Sequence, residues 1–496
     1  MTALHPSIRR LAVLLLALLV AATLAPAAHS QRGEADPFER GIQLYKQRDL
    51  AGALMAFRQA EQKDPRDPLV QSWIGFVLMQ MNRADEAIAA FDRALELGPP
   101  TADLHNNRGN ARLAKGDVDG AIADYVRATE LNADHADAWF NLGNAYLRKN
   151  DLDHALTALQ QAARVSPRDA SVLNNLGYVY DRKGQLDEAI RYYREAASEQ
   201  PNQGAYWRNL GLAYRKAEQW EKAVAALEQA LRRRGRDYTA QVTLGECLAA
   251  LNRLPEAINA FRTAASIAPN EFLPHHNLAL LYARQGRYPQ AIAAIQTANR
   301  LSQNNLQVLT TGGWIYLRAR QLGEAATWYE RAIRAGKPDR EADRPLLAAA
   351  YANLGVVRHR LKRTEDAIAA LRHAVELDPN DRASRTLLAS LYLEHQKWEE
   401  AASEYRRLVA DQPKDARAHH NLGFALEKLG RVDEAIQSYQ RATEADPRFY
   451  WAFNNLGVLY ERLGQKELAE RNYRQALAIK PDFREAQQNL ERLKRP

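Results

Sequence analysis

Small and apolar residues recur at fixed intervals along nearly the whole chain. A small residue, called the marker below, returns every 34 residues, apart from one step of 42 residues. Alanine stands twelve residues after every marker, and a large apolar or aromatic residue stands sixteen after it. A fixed period of this length is the sequence signature of a stacked repeat structure. The thirteen markers are Gly41, Gly75, Gly109, Gly143, Gly177, Gly211, Gly245, Ala279, Gly313, Gly355, Ala389, Gly423 and Gly457.

Each repeat predicts two amphipathic helices joined by a tight turn. In the fourth unit, apolar residues from Leu142 to Leu147 are spaced as one helical face, and those from Ala155 to Ala162 form another. Glycine or asparagine between the two helices, as at Gly116 and Asn150, tolerates the left-handed conformation that ends a helix. Proline follows twenty-four residues after nine of the markers, where it stops the second helix. Because one hairpin cannot bury both its faces, each unit needs its neighbours.

The repeat resembles the tetratricopeptide repeat family. The unit that begins Ala418-His-His-Asn-Leu-Gly423 and continues through Ala435-Ile436, Tyr439 and Pro447 carries the family pattern. The resemblance covers about residues 34 to 483. It implies an all-α fold, an α-solenoid of about thirteen helix-turn-helix units that form a right-handed superhelix. It also implies a non-enzymatic scaffold for protein–protein interaction.

The spacing divides the repeat region into segments. Units one to nine span residues 34–337, and units ten to thirteen span residues 348–483. The segment between them, 338–347, lengthens the junction, and its Pro345 suits the first turn of a longer helix. We interpret these extra residues as a tolerated surface insertion, with a partner-specific loop as the alternative.

The last residues, 484–496, predict a C-terminal capping helix. They place Ala486, Leu490 and Leu493 on one face, with charged and amide residues elsewhere. A stacked array needs such a cap for solubility, because its last hairpin would otherwise expose an apolar face.

The first thirty residues differ in kind from the repeats. A basic pair precedes an unbroken apolar run, Leu11 to Ala25, and Ala28-His-Ser30 offers a small-residue cleavage site. This order is typical of a signal peptide over residues 1–30, followed by a short linker, 31–33. We therefore expect an exported protein, periplasmic or secreted. The alternative is an uncleaved segment that anchors the chain in a membrane through residues 11–25.

Composition and charge narrow the class of partner. With 46% hydrophobic and 26% charged residues, the chain has the composition of a folded protein. Its formal net charge of +8 is spread over many turns, whereas nucleic-acid-binding proteins concentrate positive charge on one face. The densest basic run, Arg232 to Arg236, falls at the end of a second helix, where cations favour the helix dipole. We therefore expect no nucleic-acid partner.

No pattern for catalysis or cofactor binding interrupts the repeats. The chain has no phosphate-binding loop, dinucleotide-binding fingerprint or His-Glu-x-x-His zinc helix. The pairs His275-His276 and His419-His420 are adjacent in their helices and point about 100° apart, which disfavours chelation. The single cysteine, Cys247, allows no intramolecular disulfide and no cysteine zinc cluster. We expect no catalytic residue, metal, cofactor or small-molecule substrate.

The array also resembles the repeat region of the O-linked N-acetylglucosamine transferases, which is likewise long and rich in Asn-Leu-Gly. In those proteins a separate glycosyltransferase domain follows the repeats, whereas this sequence ends shortly after its last unit. The resemblance therefore implies a binding surface rather than an activity.

Asparagine recurs two residues before the marker and forms the candidate binding site. In the resembling family, the first helix of each unit lines a concave groove, where side-chain amides bind the main chain of an extended peptide. Each amide offers a donor and an acceptor, which match peptide N–H and C=O groups regardless of sequence. The same amides can instead hold neighbouring helices together. The ladder residues are Asn107, Asn141, Asn175, Asn209, Asn277, Asn353, Asn421 and Asn455.

Further groove positions, carried over by their place in the unit, extend this site. In units three to six they are Asn106, Asn110, Phe140, Asn144, Asn174, Tyr178, Arg182, Arg208 and Arg215. Amides, aromatics and arginines together suit an interaction surface. A second patch near the end holds His420, Phe424, Trp451 and Asn454, where the aromatics equally suit ordinary packing.

The clamp by which some family members hold the C-terminal carboxylates of chaperones is not reproduced. From Asn106 onward, the corresponding positions hold Asn110, Asn141, Ser171 and Asn175, so the cations of the clamp are missing. We do not expect this kind of chaperone-tail binding.

The sequence as a whole predicts an exported scaffold that holds extended peptides or partner proteins in its groove, within a bacterial cell-envelope assembly. Two alternatives stay open. One is a structural spacer in a polysaccharide-export or envelope machine, and the other is a substrate-recruiting subunit of a separately encoded enzyme.

Overall fold

The computed structural model of the chain describes residues 36–495, which form helices joined by short turns. The predicted signal peptide and the linker 31–33 lie outside the described residues. The described chain divides into two compact bodies, residues 36–253 and 254–495. Within the described range, no helix combines the length and apolarity needed to cross a bilayer.

The first body holds the first six hairpins and the first helix of the seventh unit. Its helices are α1 (Pro37–Lys46), α2 (Leu50–Lys63), α3 (Pro68–Gln80), α4 (Ala84–Leu97), α5 (Ala102–Lys115), α6 (Val118–Leu131), α7 (Ala136–Arg148), α8 (Leu152–Val165), α9 (Ala170–Arg182), α10 (Leu186–Glu199), α11 (Gly204–Lys216), α12 (Trp220–Arg233) and α13 (Tyr238–Ala250).

The second body holds the second helix of the seventh unit, six further hairpins and the cap. Its helices are α14 (Leu254–Ile267), α15 (Leu273–Arg284), α16 (Tyr288–Ser302), α17 (Leu306–Arg318), α18 (Leu322–Ala335), α19 (Arg344–Arg360), α20 (Thr364–Leu377), α21 (Arg382–Glu394), α22 (Trp398–Asp411), α23 (Ala416–Lys428), α24 (Val432–Ala445), α25 (Tyr450–Arg462), α26 (Lys466–Ile479) and α27 (Arg484–Leu493). The predicted all-α helical repeat solenoid is thus confirmed.

The markers lie where the two helices of a hairpin come closest. A Cβ atom added at Gly109 would lie 2.7 Å from the ring of Tyr125, sixteen residues later on the second helix. At Gly423 the same atom would lie 2.8 Å from the ring of Tyr439. Distances below 3.0 Å are too short for real Cβ contacts. The large side chain of the second helix therefore packs directly against the backbone of the first.

The alanines twelve residues after the markers complete this contact. All thirteen, from Ala53 to Ala469, are fully buried. Because an alanine occupies little volume, the second helix can lie close to the first at this position. This explains why the sequence keeps alanine there in every unit.

Each hairpin turn contains one left-handed residue, seven positions after the marker. Glycine supplies it at Gly116, Gly184 and Gly430, and asparagine supplies it at Asn150, as the sequence predicts. Glu218 and several other residues adopt the same conformation without that advantage. Left-handed backbone costs such residues about 1 kcal/mol.

The lengthened junction before unit ten is ordered. A 3₁₀ turn, Glu341–Asp343, leads directly into α19, which begins at Arg344 and has Pro345 in its first turn. The Asp343 carboxylate accepts a hydrogen bond from the Lys337 main-chain N–H at 3.0 Å. Residues 344–347 of the predicted insertion thus form the first turn of α19.

The C-terminal segment forms a last helix within the range 484–496. Helix α27 packs on α26, with Ala486 fully buried and Leu490 and Leu493 partly covered. Phe483, immediately before the helix, lies edge-on to Tyr450 with a ring-centroid distance of 4.9 Å. The last hairpin is therefore covered by this segment.

Candidate functional site

The first helices of successive units contact each other within each body, for example α5 with α7 and α15 with α17. Their marker-flanking residues form one continuous surface per body, which we call the first-helix face. The predicted ladder asparagines lie on it, and Asn141, Asn175 and Asn209 are all partly buried.

In the first body, the ladder amides bridge consecutive units. Asn141 Nδ2 donates to Asn106 Oδ1 at 2.9 Å and to Asn110 Oδ1 at 3.2 Å, both on the preceding first helix. Asn209 Nδ2 donates to Asn174 Oδ1 of the preceding unit at 2.8 Å. Of the two roles that the sequence left open for these amides, the bridging of neighbouring helices is therefore observed.

Unit four has no amide acceptor three residues before its marker, so the ladder asparagine of unit five bonds a different residue of unit four. Unit four carries Phe140 at the position where units three and five carry Asn106 and Asn174, and Asn175 donates instead to Asn144 Oδ1 at 2.6 Å. The bridge between units is thus kept by a different pair of residues. It is a general feature of this stretch of the first-helix face.

In several of these bridging asparagines, either the side-chain oxygen or the side-chain nitrogen makes no hydrogen bond. Within residues 36–253, the Oδ1 atoms of Asn141 and Asn209 accept no hydrogen bond, and Asn144 Nδ2 donates none. Asn107, at the start of the ladder, has no side-chain hydrogen bond to the described chain. These groups can still pair with the N–H and C=O groups of an added chain.

The predicted arginines of this face are engaged within the chain. Arg208 pairs with the buried carboxylate of Asp237 at 2.9 Å, and Arg215 pairs with Glu246 at 3.2 Å. Both therefore stabilise contacts between units six and seven. They do not offer a free charge to a partner.

Tyr178 and Arg182 remain accessible on unit five. The Tyr178 side chain is 39% exposed, and Arg182 Nη1 donates to its hydroxyl oxygen at 2.9 Å. A second guanidinium nitrogen donates to Asn150 Oδ1 at 2.9 Å. These two side chains form the most open part of the site predicted in units three to six.

The second body repeats the bridging pattern with variations. Asn455 Nδ2 lies 3.0 Å from His420 Nε2 of the preceding unit, and Asn421 donates to the hydroxyl of Tyr405 at 2.9 Å. In unit eight, Asn277 lies beside His276, whose Nε2 is 3.0 Å from Thr311 Oγ1 of the next unit.

The bridge is missing at the lengthened junction. Asn353 donates to the Ala349 carbonyl of its own helix at 2.9 Å. The Tyr329 hydroxyl, which corresponds to that of Tyr405, is buried without a hydrogen-bond partner in the described chain. The lengthening of α19 thus coincides with the loss of one inter-unit hydrogen bond.

His420 is held in a neutral environment. Its Nδ1 lies 3.2 Å from Asn421 Oδ1, and its ring lies 5.4 Å from the Tyr439 ring and 5.3 Å from the Phe449 ring. Burial lowers its pKa, and the nearby Asn421 and Glu427 only partly oppose that shift. The neutral ring donates through Nδ1 and accepts from Asn455 through Nε2.

The other patch residues differ in exposure. Trp451 is 41% exposed and lies against Phe483, with ring centroids 4.6 Å apart. Asn454 is buried and accepts from Asn489 of the cap at 3.0 Å. Phe424 is partly buried beneath Lys428, whose ammonium lies 5.1 Å from the ring centroid.

Sequence reasoning missed a buried charge cluster in unit three. Asp124, only 2% exposed, lies 3.0 Å from His105 Nδ1, 2.9 Å from Arg108 Nε and 2.8 Å from Arg112 Nη1. A signal existed, because Asp124 occupies the position fifteen after the marker, where most units carry alanine. Such an acid at an alanine position requires buried cations, and the chain supplies them.

The candidate metal and thiol residues have packing roles. The described residues contain no group of three or more potential metal ligands. His419 Nε2 lies 3.0 Å from the Pro413 carbonyl, so the two histidines of that pair have different partners. Burial raises the pKa of the Cys247 thiol to about 11. Cys247 is therefore an apolar packing residue rather than a thiolate nucleophile.

Family sequence profiles identify the repeat. Profiles described as tetratricopeptide repeat match residues 44–108, 276–340, 313–380, 386–448 and 450–483. The chain belongs to the tetratricopeptide repeat family. Residues 101–277 match a profile described as the C-terminal domain of cilia and flagella-associated protein 70. A tetratricopeptide array is a protein-interaction scaffold, and this chain is one.

Solved tetratricopeptide structures resemble parts of the array. MamA is 25% identical with a TM-score of 0.31, and the match covers 32% of this chain and 94% of MamA. YrrB, described as a TPR protein with an unusual peptide-binding site, is 22% identical with a TM-score of 0.36, covering 38% of this chain and 97% of YrrB.

A tetratricopeptide repeat protein from Parabacteroides merdae is 19% identical with a TM-score of 0.37, covering 49% of this chain and 97% of that protein. Comparison with curated protein sequences gives no significant match.

The bridging amides predict a stability effect. Replacing Asn209 with alanine removes its partly buried hydrogen bond to Asn174. This loss is expected to lower the free energy of unfolding by about 1 kcal/mol. Asn107→Ala is the matched control, because its side chain makes no such bond, and it is expected to change stability little. Chemical denaturation of both variants measures the difference. Equal effects of the two substitutions would contradict a bridging role.

The neutral state of His420 predicts a pH dependence. Because the unfolded histidine binds a proton more readily than the buried one, stability is expected to fall as the pH drops below about 6.5. The variant His420→Asn carries the residue type that units three and five have at this position, Asn106 and Asn174. Its stability should not show the loss at low pH that is due to protonation of His420. Melting temperatures of both proteins between pH 8 and pH 5 measure it. Parallel curves would show that His420 does not titrate with folding.

Proposed function

We propose that the array holds extended peptide segments of partner proteins in a groove lined by the first helices, along the first-helix face of each body. The observation that carries the proposal is the state of the ladder amides. Asn141 and Asn209 use their N–H groups to bridge units and keep their carbonyl oxygens unpaired. The bridges fix the orientation of the amides before any ligand binds.

Fixed amides suit main-chain recognition. A peptide in extended conformation presents N–H and C=O groups alternately along its length, and the first-helix face supplies both an acceptor, such as Asn141 Oδ1, and a donor, such as Asn144 Nδ2. Because the side chains are already ordered, binding costs little of their conformational entropy. Tyr178 adds an accessible aromatic surface on the same face.

We further propose that the chain has no catalytic activity of its own and acts in the bacterial cell envelope. The support for the first point is that the polar clusters of the described chain are packing contacts, as at Asp124 and His420. The support for the second is the signal-peptide pattern of residues 1–30. A spacer in an export machine would use the second helices or the ends instead, and a recruiting subunit would copurify with its enzyme.

Selection of peptide ligands tests the groove. Random peptides are selected on the mature chain, and their affinity is measured for the wild type and for Tyr178→Ala combined with Arg182→Ala. We expect a loss of at least tenfold, because both side chains are exposed on the first helix of unit five. Arg194→Ala, an exposed change on the second helix of the same unit, is the matched control.

Two results would contradict the groove as the binding surface. One is affinity that falls with Arg194→Ala and not with the first-helix variant. The other is the absence of any selectable peptide. Circular dichroism of each variant confirms that the helices are retained.

A further inference from the structure

The last turn of the first helix carries a cation in most units. Five residues after the marker stand Lys46, Arg148, Arg182, Lys216, Arg284, Arg318, Arg360, Lys428 and Arg462. A cation at the C-terminal end of a helix is favoured by the helix dipole. Its presence alone therefore says nothing about a ligand. What distinguishes the units is whether the cation has an acidic partner.

In two units an acid of the preceding first helix neutralises this cation. Lys216 Nζ lies 2.7 Å from the Asp181 carboxylate, and Arg462 Nη1 lies 2.9 Å from the Glu427 carboxylate. Both acids stand four residues after the marker of the preceding unit. The two pairs show which side chains lie next to each other across neighbouring first helices.

In units nine and ten the position that holds the acid in those two pairs is apolar, as it also is before Arg148, Arg182 and Lys428. The position that faces Arg318 is Ala283, and the position that faces Arg360 is Leu317. Arg360 and Arg284 are exposed and form no ion pair within residues 254–495, and Arg318 contacts only the ring of Trp314, 5.9 Å from its guanidinium carbon. Three adjacent units thus present unneutralised guanidinium groups.

Two acids of units nine and ten are paired with other cations. Glu330 pairs with Arg358 at 3.2 Å, and Glu365 pairs with Lys397 at 2.8 Å. Further cations, Arg320 and Lys362, follow in the turns of units nine and ten and are exposed. The edge of the first-helix face is therefore basic over units eight to ten. We call Arg284, Arg318 and Arg360 the arginine row.

We propose that the arginine row, with Trp314, binds an acidic extended segment of a partner protein. This rests on the proposed function, because it names the chemistry of a peptide held on the same face. Adjacent packed helices lie about 10 Å apart, which is the length of about three residues of extended chain. A segment with a carboxylate at every third residue would therefore place one acid opposite each arginine.

A peptide fits the surroundings better than a nucleic acid. The first helices of units nine and ten also carry Thr310 and Asn353, whose side-chain oxygens can accept hydrogen bonds from a peptide main chain. Only one tryptophan stands beside the row, whereas single-stranded nucleic acids are bound through successive aromatic platforms.

Synthetic peptides test the arginine row in the mature chain. The probes are a twelve-residue peptide with glutamate at every third position, the same peptide with glutamine instead, and one with its glutamates grouped at one end. Fluorescence anisotropy is expected to show at least tenfold tighter binding of the spaced glutamate peptide than of the glutamine peptide. That advantage should shrink as salt is added, because screening weakens exposed charge pairs.

Matched variants assign the binding to these residues. Arg318→Gln combined with Arg360→Gln should remove the advantage of the glutamate peptide. Lys216→Gln combined with Arg462→Gln removes the same charge from neutralised positions. This double variant should still bind the glutamate peptide more tightly than the glutamine peptide. Arg318→Glu combined with Arg360→Glu should transfer the preference to a peptide with lysine at every third position. All these changes are at exposed side chains, so the helices are expected to persist.

Several results would overturn the inference. They are equal binding of the glutamate and glutamine peptides, equal loss in the two double variants, or tighter binding of a single-stranded oligonucleotide or an anionic vesicle than of the glutamate peptide. If the glutamate and glutamine peptides bind equally and Tyr178→Ala weakens the binding of both, the inference fails but the proposed function stands. Absence of binding by any peptide would count against both.

Discussion

The structure depends on one contact, that between the marker of the first helix and the large side chain sixteen residues later on the second. At Gly313 an added Cβ would lie 2.6 Å from the Tyr329 ring, so the ring lies against bare backbone. Small residues allow two helices to approach this closely, and a fully buried alanine follows in every unit to keep the second helix near. Because this contact fixes how the two helices of a hairpin pack against each other, it also fixes which side chains lie on the first-helix face.

Stacking of hairpins then generates the surface on which function rests. The side chains next to the marker meet those of the adjacent unit, so one asparagine per unit can bridge to its neighbour, as Asn209 does to Asn174. The same residues that stabilise the array therefore orient unpaired amide atoms along it. In units eight to ten, three successive first helices end in an arginine with no acidic partner within residues 254–495, whereas Asp181 neutralises Lys216 in unit six.

The period of 34 residues predicted the helices and the turns, because each depends on local residues such as Gly116 and Ala155 that recur at fixed positions. The ladder positions were also predictable, since Asn141 and Asn209 stand at one register. Their partners were not, because a hydrogen bond between side chains 35 residues apart depends on how two units pack. For the same reason Arg208 and Arg215 were expected to face a partner, whereas Asp237 and Glu246 of the next unit neutralise them.

Site-resolved photo-crosslinking in the native host tests the central claim, that partners bind along the first helices. A photoreactive residue is placed at Asn107, Tyr178 or Arg318 on the first-helix face, and at Arg194 or Arg441 on second helices, where both side chains are exposed. The account predicts partner adducts from the first-helix positions and few from the others. Adducts confined to the second-helix positions would show that the first-helix face is not the binding surface.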